Sequence, residues 1–203
     1  MKERRDFLKK LGLSTVGVVI GGGCPLSAMV KDDTNEAATQ ARLGAYQFAM
    51  QYFHFCKTLI DTLGEEKAFP VVQQALFELA IDRSDKMRAK AVELGLDFAD
   101  KNSGKVNDLP FAGWRAGFDK SKGEVFCPYA QVWLTYYEEY PWFKRFAPLY
   151  CDVIDITKVE NFTRTTSQRK TKNLLWGDDN CESVNFESDK VKQGIFTYGT
   201  RKS

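Results

Sequence analysis

Between residues 37 and 64 apolar side chains recur every three or four positions: Ala41, Ala45, Phe48, Tyr52, Phe55, Cys56, Leu59 and Leu63. That spacing keeps them on one side of a 3.6-residue turn and predicts an amphipathic helix ended by Gly64. A second helical pattern leads from Glu65 to Phe69 into Pro70, at a first turn, and runs on through Val72, Ala75, Leu76, Leu79 and Ala80. It is expected to reach Gly95 with a break near Asp82 to Asp85. From Asp100 to Lys122 the composition turns to Asn, Ser, Gly, Pro and Asp, which predicts mainly loop with room for one short strand.

The second half is patterned differently. Gly123 to Phe126 reads as a short strand running into Cys127-Pro128, after which YAQVWLTYYEEY has helical spacing. Proline suits the first helical position and so places Cys127 at the helix N-terminus, where unpaired N–H groups stabilise a thiolate. A further helix, broken or begun at Pro148, carries Tyr150, Cys151, Ile154 and Asp155, with Cys151 and Asp155 four apart on one face. Thr163 to Trp176 reads as an extended strand, Gly177-Asp178-Asp179-Asn180 as a turn, and Cys181 to Glu187 as the hairpin partner. The segment 189–203 is open to a further strand through Gly194 to Tyr198. The expected fold is α+β: N-terminal helices followed by a small antiparallel sheet with additional helices, in a single domain over 37–203. Neither repeats nor a proline-rich linker argues for a second domain.

Residues 1–30 stand apart: a cationic start, an uncharged stretch from Leu11 to Ile20, then small residues. The stretch is shorter than the roughly 20 apolar residues a spanning helix needs, and glycines at 12, 17, 21, 22 and 23 disfavour a soluble helix. The string RRDFLK resembles the twin-arginine export signal, which implies passage through the twin-arginine machinery in a folded state. Gly21-Gly22-Gly23-Cys24 resembles a lipoprotein cleavage box, with Cys24 the acylated residue; a cut after Leu26-Ser27-Ala28 is the alternative. The expected location is periplasmic, or membrane-anchored if Cys24 is lipidated, with 31–36 a polar linker. Residues 1–30 hold five of the 29 Lys/Arg and two of the 27 Asp/Glu, leaving 24 against 25. The remainder therefore carries no electrostatic footprint for nucleic acid. An aromatic content of 13% favours a substantial core and is compatible with an aromatic-lined pocket.

Cysteines occur at 24, 56, 127, 151 and 181, and the single histidine, His54, lies off the apolar stripe. His54 reads as a partly exposed surface side chain and Cys56 as a core residue. Without Cys24 the other four cysteines are open to two disulfides, to free thiols or to metal binding. Spacings of 24 and 30 from Cys127 to Cys151 to Cys181 differ from zinc knuckles, which hold two ligands close in sequence. A folded site is still open to zinc through Cys127, Cys151 and Cys181, with an Asp or His54 beside them.

Three ordered motifs, Cys127-Pro-Tyr-Ala130, Tyr150-Cys-Asp-Val-Ile-Asp155 and Thr171-Lys-Asn-Leu174 leading into Gly177-Asp-Asp-Asn-Cys181, resemble the L-2-amino-thiazoline-4-carboxylic acid hydrolase family. The likeness in layout covers roughly Gly44 to Phe186. It implies hydrolysis of a non-peptide carbon–nitrogen bond in a small cyclic amidine, the thiazoline ring opening towards N-carbamoyl-cysteine. Such a reaction needs a carboxylate for the amidinium, a cation for the substrate's carboxylate, and an activated attacking group. Cys127 is the expected nucleophile, Asp155 the carboxylate or general base, and Cys151 and Cys181 their neighbours. Asp178 and Asp179 are second choices for the amidinium, and Arg164 and Arg169 candidates for the substrate carboxylate. The alternative is a non-catalytic envelope lipoprotein that holds a small molecule or metal in the same pocket.

Overall fold

A computed structural model describes residues 36–106, 108 and 127–200. The twin-arginine stretch, the lipidation candidate Cys24, residues 31–35 of the expected linker and the expected strand at 123–126 lie outside the described residues, and Glu36 already belongs to a helix. Among the described residues no helix is long and apolar enough to cross a membrane. The fold is α+β: helices first, a small antiparallel sheet later, and further short helices around it.

Helix α1 (Glu36–Leu63) and helix α2 (Glu65–Glu93) are joined through Gly64 alone. Gly64 has φ 78°, where any other residue would push its Cβ against the backbone, and its N–H closes onto the Ile60 carbonyl at 2.8 Å. The buried stripe of α1 is Ala49, Tyr52, Phe53 and Cys56, spaced i, i+3, i+4, i+7. Phe55, expected on that stripe, is instead 69% exposed, because two positions along a helix turn a side chain about 200° from Phe53, which is 1% exposed. Cys56 is buried and His54 exposed, as the pattern suggested.

The expected break in α2 near Asp82 to Asp85 is absent, and the helix runs unbroken to Glu93. Its polar residues there are satisfied across an interface. Ser84 donates to the Ala80 carbonyl, while the buried Asn161 amide donates to Ser84 Oγ at 2.6 Å and to Asp85 Oδ1 at 2.9 Å. Pro70 lies at the sixth position of α2 rather than in its first turn, since the helix begins at Glu65.

Helix α3 is a single turn (Asp100–Ser103), and α4 (Pro128–Trp133) continues as 3-10 turn Leu134–Tyr136. Helix α5 (Phe143–Thr163) contains Pro148 and neither breaks nor begins there. It packs along α2 and is the spine of the molecule, with Phe143, Phe146, Ala147 and Val153 at 0% exposure. The core around it is aromatic. Phe53 stacks on Tyr136 with ring centroids 3.7 Å apart, Trp133 Nε1 donates to the Ala49 carbonyl at 2.9 Å, and Tyr52 donates to the Phe146 carbonyl at 2.9 Å. Fully burying an aromatic of this size contributes about 1.5–3 kcal/mol, and the two polar tips are bonded, so none of that is lost to unmet donors.

Arg164 ends α5 in the left-handed region at φ 61°, turning the chain back into β1 (Thr166–Lys172). The strand is shorter than the expected Thr163–Trp176. Thr163 still belongs to the helix, bonding the Val159 carbonyl, and Asn173 caps a 3-10 turn over Leu174–Trp176 by accepting from Leu175 N–H at 2.9 Å. After the turn at Gly177, strand β2 (Glu182–Glu187) pairs antiparallel with β1, from Thr166 opposite Glu187 to Lys172 opposite Glu182, with an irregularity between Lys170 and Lys172. Strand β1 lies against α5, whereas every residue of β2 is exposed. A one-turn helix α6 (Asp189–Lys192), capped by Ser188, leads to a second hairpin, β3 (Ile195–Phe196) with β4 (Gly199–Thr200).

Candidate functional site

Period-two alternation on β1 and the i, i+3, i+4 face of α5 together build the site. Lys170 points from β1 at α5, where its Nζ meets Asp155 Oδ2 at 2.5 Å. One turn further along α5 stand Lys158 and Val159. With Gln168 from β1, Ser183 from β2 and Met87, Ser103 and Gly104 from the other side, these residues and Asp155 line an open cleft of about 270 Å³. The Lys170 side chain is 9% exposed and that of Asp155 46%, so the carboxylate is the wet partner.

Burial works to strip Lys170 of its proton, but the adjacent Asp155 carboxylate outweighs it, with further help from Cys151 and Cys181, and holds its affinity above the ordinary lysine value. Lys158 behaves oppositely. Burial and then repulsion from Arg83 lower it, only partly offset by Asp108 and Asp155. Asp108 stands between two cations, accepting from Arg83 Nε at 2.6 Å and facing Lys158 Nζ at 3.6 Å. Burial raises its carboxyl, but Arg83 and Lys158 together leave it below its ordinary value.

The expected thiols are not among the residues that line this cleft. Cys127 caps α4, its Sγ accepting the Ala130 N–H at 3.5 Å. Cys151 sits one turn before Asp155 on α5, and both thiols pack against the aromatic core. Burial pushes Cys151 well above the ordinary thiol value, and Asp155 and Cys127 add to the shift. Burial also raises Cys127, against the pull of the Ala130 and Tyr129 N–H groups; Cys181 and Asp155 add to the rise. The helix-terminal donors expected to favour a Cys127 thiolate are therefore present but outweighed, because desolvating the thiolate costs more than two N–H contacts return. Cys181 is exposed, its Sγ 3.4 Å from Leu174 N and 3.8 Å from Asn173 Oδ1. Cys56 lies in the core, and burial pushes its thiol up to about 12.

Asp155 lines the cleft, whereas Cys127, Cys151 and Cys181 are not part of that lining, and the other expected residues also lie elsewhere. Asp178 is spent on the turn, accepting Asn173 N–H at 2.8 Å. Asp179 is an 85% exposed side chain 3.6 Å from Lys172. Arg164 donates to the Asn161 carbonyl and lies over the Phe196 ring, and Arg169 points out of β1 as an exposed side chain opposite Val184. Arg169 lies off the cleft because the cleft-facing side of β1 holds Gln168 and Lys170, and Arg164 because it ends α5 before the strand begins. No group of three or more His, Cys, Asp or Glu among the described residues is placed to hold a metal ion, so Cys127, Cys151 and Cys181 do not form the expected zinc site.

Lys158, Lys170 and Asp152 were not singled out from the sequence. Lys158 carried a usable signal, lying three residues after Asp155 on one helical face. Lys170 did not, since strand alternation gives two faces and not which one is inward. Asp152 Oδ1 is buried with no hydrogen-bond partner among the described residues, and burial pushes its carboxyl up to about 6, with Lys170 opposing and Asp155 adding. Compared with family models, curated proteins and solved structures, the chain matches none.

Proposed function

We propose that this protein is an exported hydrolase of a small zwitterionic cyclic amidine, of the L-2-amino-thiazoline-4-carboxylic acid hydrolase type. The observation that supports it best is the pairing, in a cleft of about 270 Å³, of one half-exposed carboxylate, Asp155, with two ammonium groups, Lys158 and Lys170. A small ring bearing an amidinium and a carboxylate complements that arrangement, the amidinium on Asp155 and the carboxylate on the lysines. Asp155 engages Lys170 through Oδ2, and in this reading its second oxygen takes a proton from the attacking water.

The oxygen of that water adds to the amidine carbon. In a thiazoline the ring carbon–sulfur bond then breaks, the sulfur takes up the proton, and N-carbamoyl-cysteine leaves; in an all-nitrogen ring the broken bond is carbon–nitrogen. Because burial favours the protonated form of the Cys127 and Cys151 thiols, the attacking group in this reading is water rather than a thiolate.

Purified full-length protein incubated with the thiazoline is expected to release N-carbamoyl-cysteine. Asp155→Asn should lower kcat/KM by about 10²-fold or more, the usual worth of a positioned base. Undiminished turnover in that variant removes Asp155 from the role. A non-catalytic binding role is favoured by one observation, that Asp155 is already ion-paired. Thermal stabilisation by the thiazoline without turnover would support that reading instead. Export is tested by fractionating cells that express the wild type and an Arg4→Lys, Arg5→Lys double variant, which should be retained in the cytoplasm.

A further inference from the structure

The two lysines of the cleft are held in opposite ways, and the difference gives Lys158 a chemistry that anion binding alone does not use. Lys170 Nζ lies 2.5 Å from Asp155 Oδ2, so a carboxylate meets its charge directly. Lys158 Nζ lies 3.6 Å from Asp108 Oδ1, longer than an ordinary hydrogen bond. That same carboxylate is already gripped by the Arg83 fork, Nε on Oδ2 at 2.6 Å and Nη2 on Oδ1 at 3.2 Å. One carboxylate therefore serves two cations, and Arg83 takes the better share. Arginine keeps its proton at any working pH, so the charge this trio can shed is the Lys158 ammonium. The side chains of Arg83, Asp108 and Lys158 are only 16%, 5% and 17% exposed, where an excess cation is poorly solvated. Burial first and Arg83 next weaken the hold of Lys158 on its proton, in line with that geometry. Lys158 nonetheless lines the open cleft, with Asp155 three residues earlier on the same face of α5.

We propose that Lys158 is a nucleophilic amine that captures a small α-keto acid in the cleft as an imine, with Lys170 holding the acid's carboxylate and Asp155 moving the protons. The neutral Lys158 Nζ adds to the keto carbon, the carbon–oxygen π bond breaks, and the oxygen takes up a proton to give a carbinolamine. Asp155 accepts the proton released from the nitrogen and returns it to the hydroxyl group, which leaves as water while the carbon–nitrogen double bond forms. One carbonyl compound and one amine give one imine and one water, with no change of oxidation state. A lysine kept beside a second cation in a poorly solvated place is the arrangement that leaves an amine nucleophilic near neutral pH. An ammonium carries three donors, and Lys170 spends one on Asp155, which leaves it able to bind a carboxylate. A cleft of about 270 Å³ suits a ligand of a few heavy atoms.

The cleft is the one assigned above to hydrolysis, but imine capture does not rest on that reading. Hydrolysis uses water as the attacking group and both lysines as ammonium groups, whereas capture uses the unprotonated fraction of Lys158. Capture is read as a covalent mass change without turnover of the thiazoline, so either role can fail while the other stands.

Full-length protein is incubated with pyruvate and cyanoborohydride over a range of pH, digested and mapped by mass spectrometry; hydride from the reagent reduces the imine carbon and fixes the adduct. The expected product is a carboxyethyl group on Lys158, formed near neutral pH at least about tenfold faster than on Lys170 or on Lys86, whose side chain is 66% exposed. Its rate should level off at a lower pH than in the urea-unfolded chain, because Arg83 of α2, Lys170 of β1, Asp155 of α5 and Asp108 face the amine only when folded. Arg83→Gln frees Asp108 for Lys158 and should slow the labelling and move its pH profile upwards, while Lys158→Met should abolish the fast phase without transferring it to Lys170. Lactate, which has the carboxylate but no keto group, should suppress the label, and chloride at equal ionic strength should not. Circular dichroism verifies the folding of each variant, and the wild-type pH profile stands without any substitution. Equal labelling of Lys158 and Lys86, preference for Lys170, selectivity that persists in urea, or indifference to lactate would overturn the proposal.

Discussion

Replacing Glu160 with alanine tests how the second hairpin is held to the rest of the fold. Glu160 is 0% exposed, and its carboxylate collects three donors from two distant segments. Ser167 Oγ and Thr197 Oγ1 reach Oε1 at 2.5 Å each, and Thr197 N–H reaches Oε2 at 3.0 Å. Alanine strands the Ser167 hydroxyl, which is 3% exposed, and the Thr197 N–H; the Thr197 side chain is exposed and recovers water. Two stranded donors at about 1–3 kcal/mol each give an expected loss of about 4 kcal/mol. For a folded unit of this size that lowers Tm by about 8–16 °C.

Glutamine keeps the volume and can turn its carbonyl to the Thr197 N–H and its amide to the two hydroxyls, so Glu160→Gln should cost about 1 kcal/mol. Urea unfolding followed by tryptophan fluorescence measures both, and amide exchange at Thr197 should accelerate most in the alanine variant. An alanine variant within 1 kcal/mol of wild type, or a glutamine variant as damaged as alanine, would refute the assignment of Glu160 as a hydrogen-bond hub.

Other perturbations read other parts of the structure. Asp152 is a carboxyl whose folded-state affinity for its proton is raised from 3.8 to about 6, so it binds the proton more tightly folded than unfolded. Its contribution to stability is therefore present below about pH 4 and lost as pH rises to about 6, and Asp152→Asn should stabilise at pH 7 with the gain vanishing near pH 4 in a urea-midpoint series. Gly177 has φ 98° with nothing near a built Cβ, so Gly177→Ala should cost about 1–2 kcal/mol of backbone strain alone and leave the β1–β2 register intact by NMR. Trp133→Phe removes the bond to the Ala49 carbonyl and part of a fully buried ring, for an expected loss of about 2–4 kcal/mol by thermal or urea unfolding.

Helical periodicity placed α1 and α5 and put Cys151 beside Asp155, because a 3.6-residue repeat is a local property of the chain. Turn chemistry likewise located the Gly177 reversal and the hairpin that follows, and local spacing was enough to put Cys56 in the core. The polar run at Asp82 to Asp85, which looks like a helix break when only neighbours in sequence are considered, stays helical because Asn161 of α5 bonds Ser84 and Asp85. The choice between the two faces of β1 is of the same kind. Arg169 and Lys170 are equally cationic and adjacent, and only the packing of the strand on α5 sends Lys170 to Asp155 and Arg169 to solvent. The protonation of Cys127 is a third case, since a helix N-terminus is visible in the sequence but the desolvation that overrides it is supplied by residues far away along the chain. Local order is written in short-range spacing; which polar groups end up dry, and facing whom, is decided by long-range packing that brings α2, α5 and β1 together.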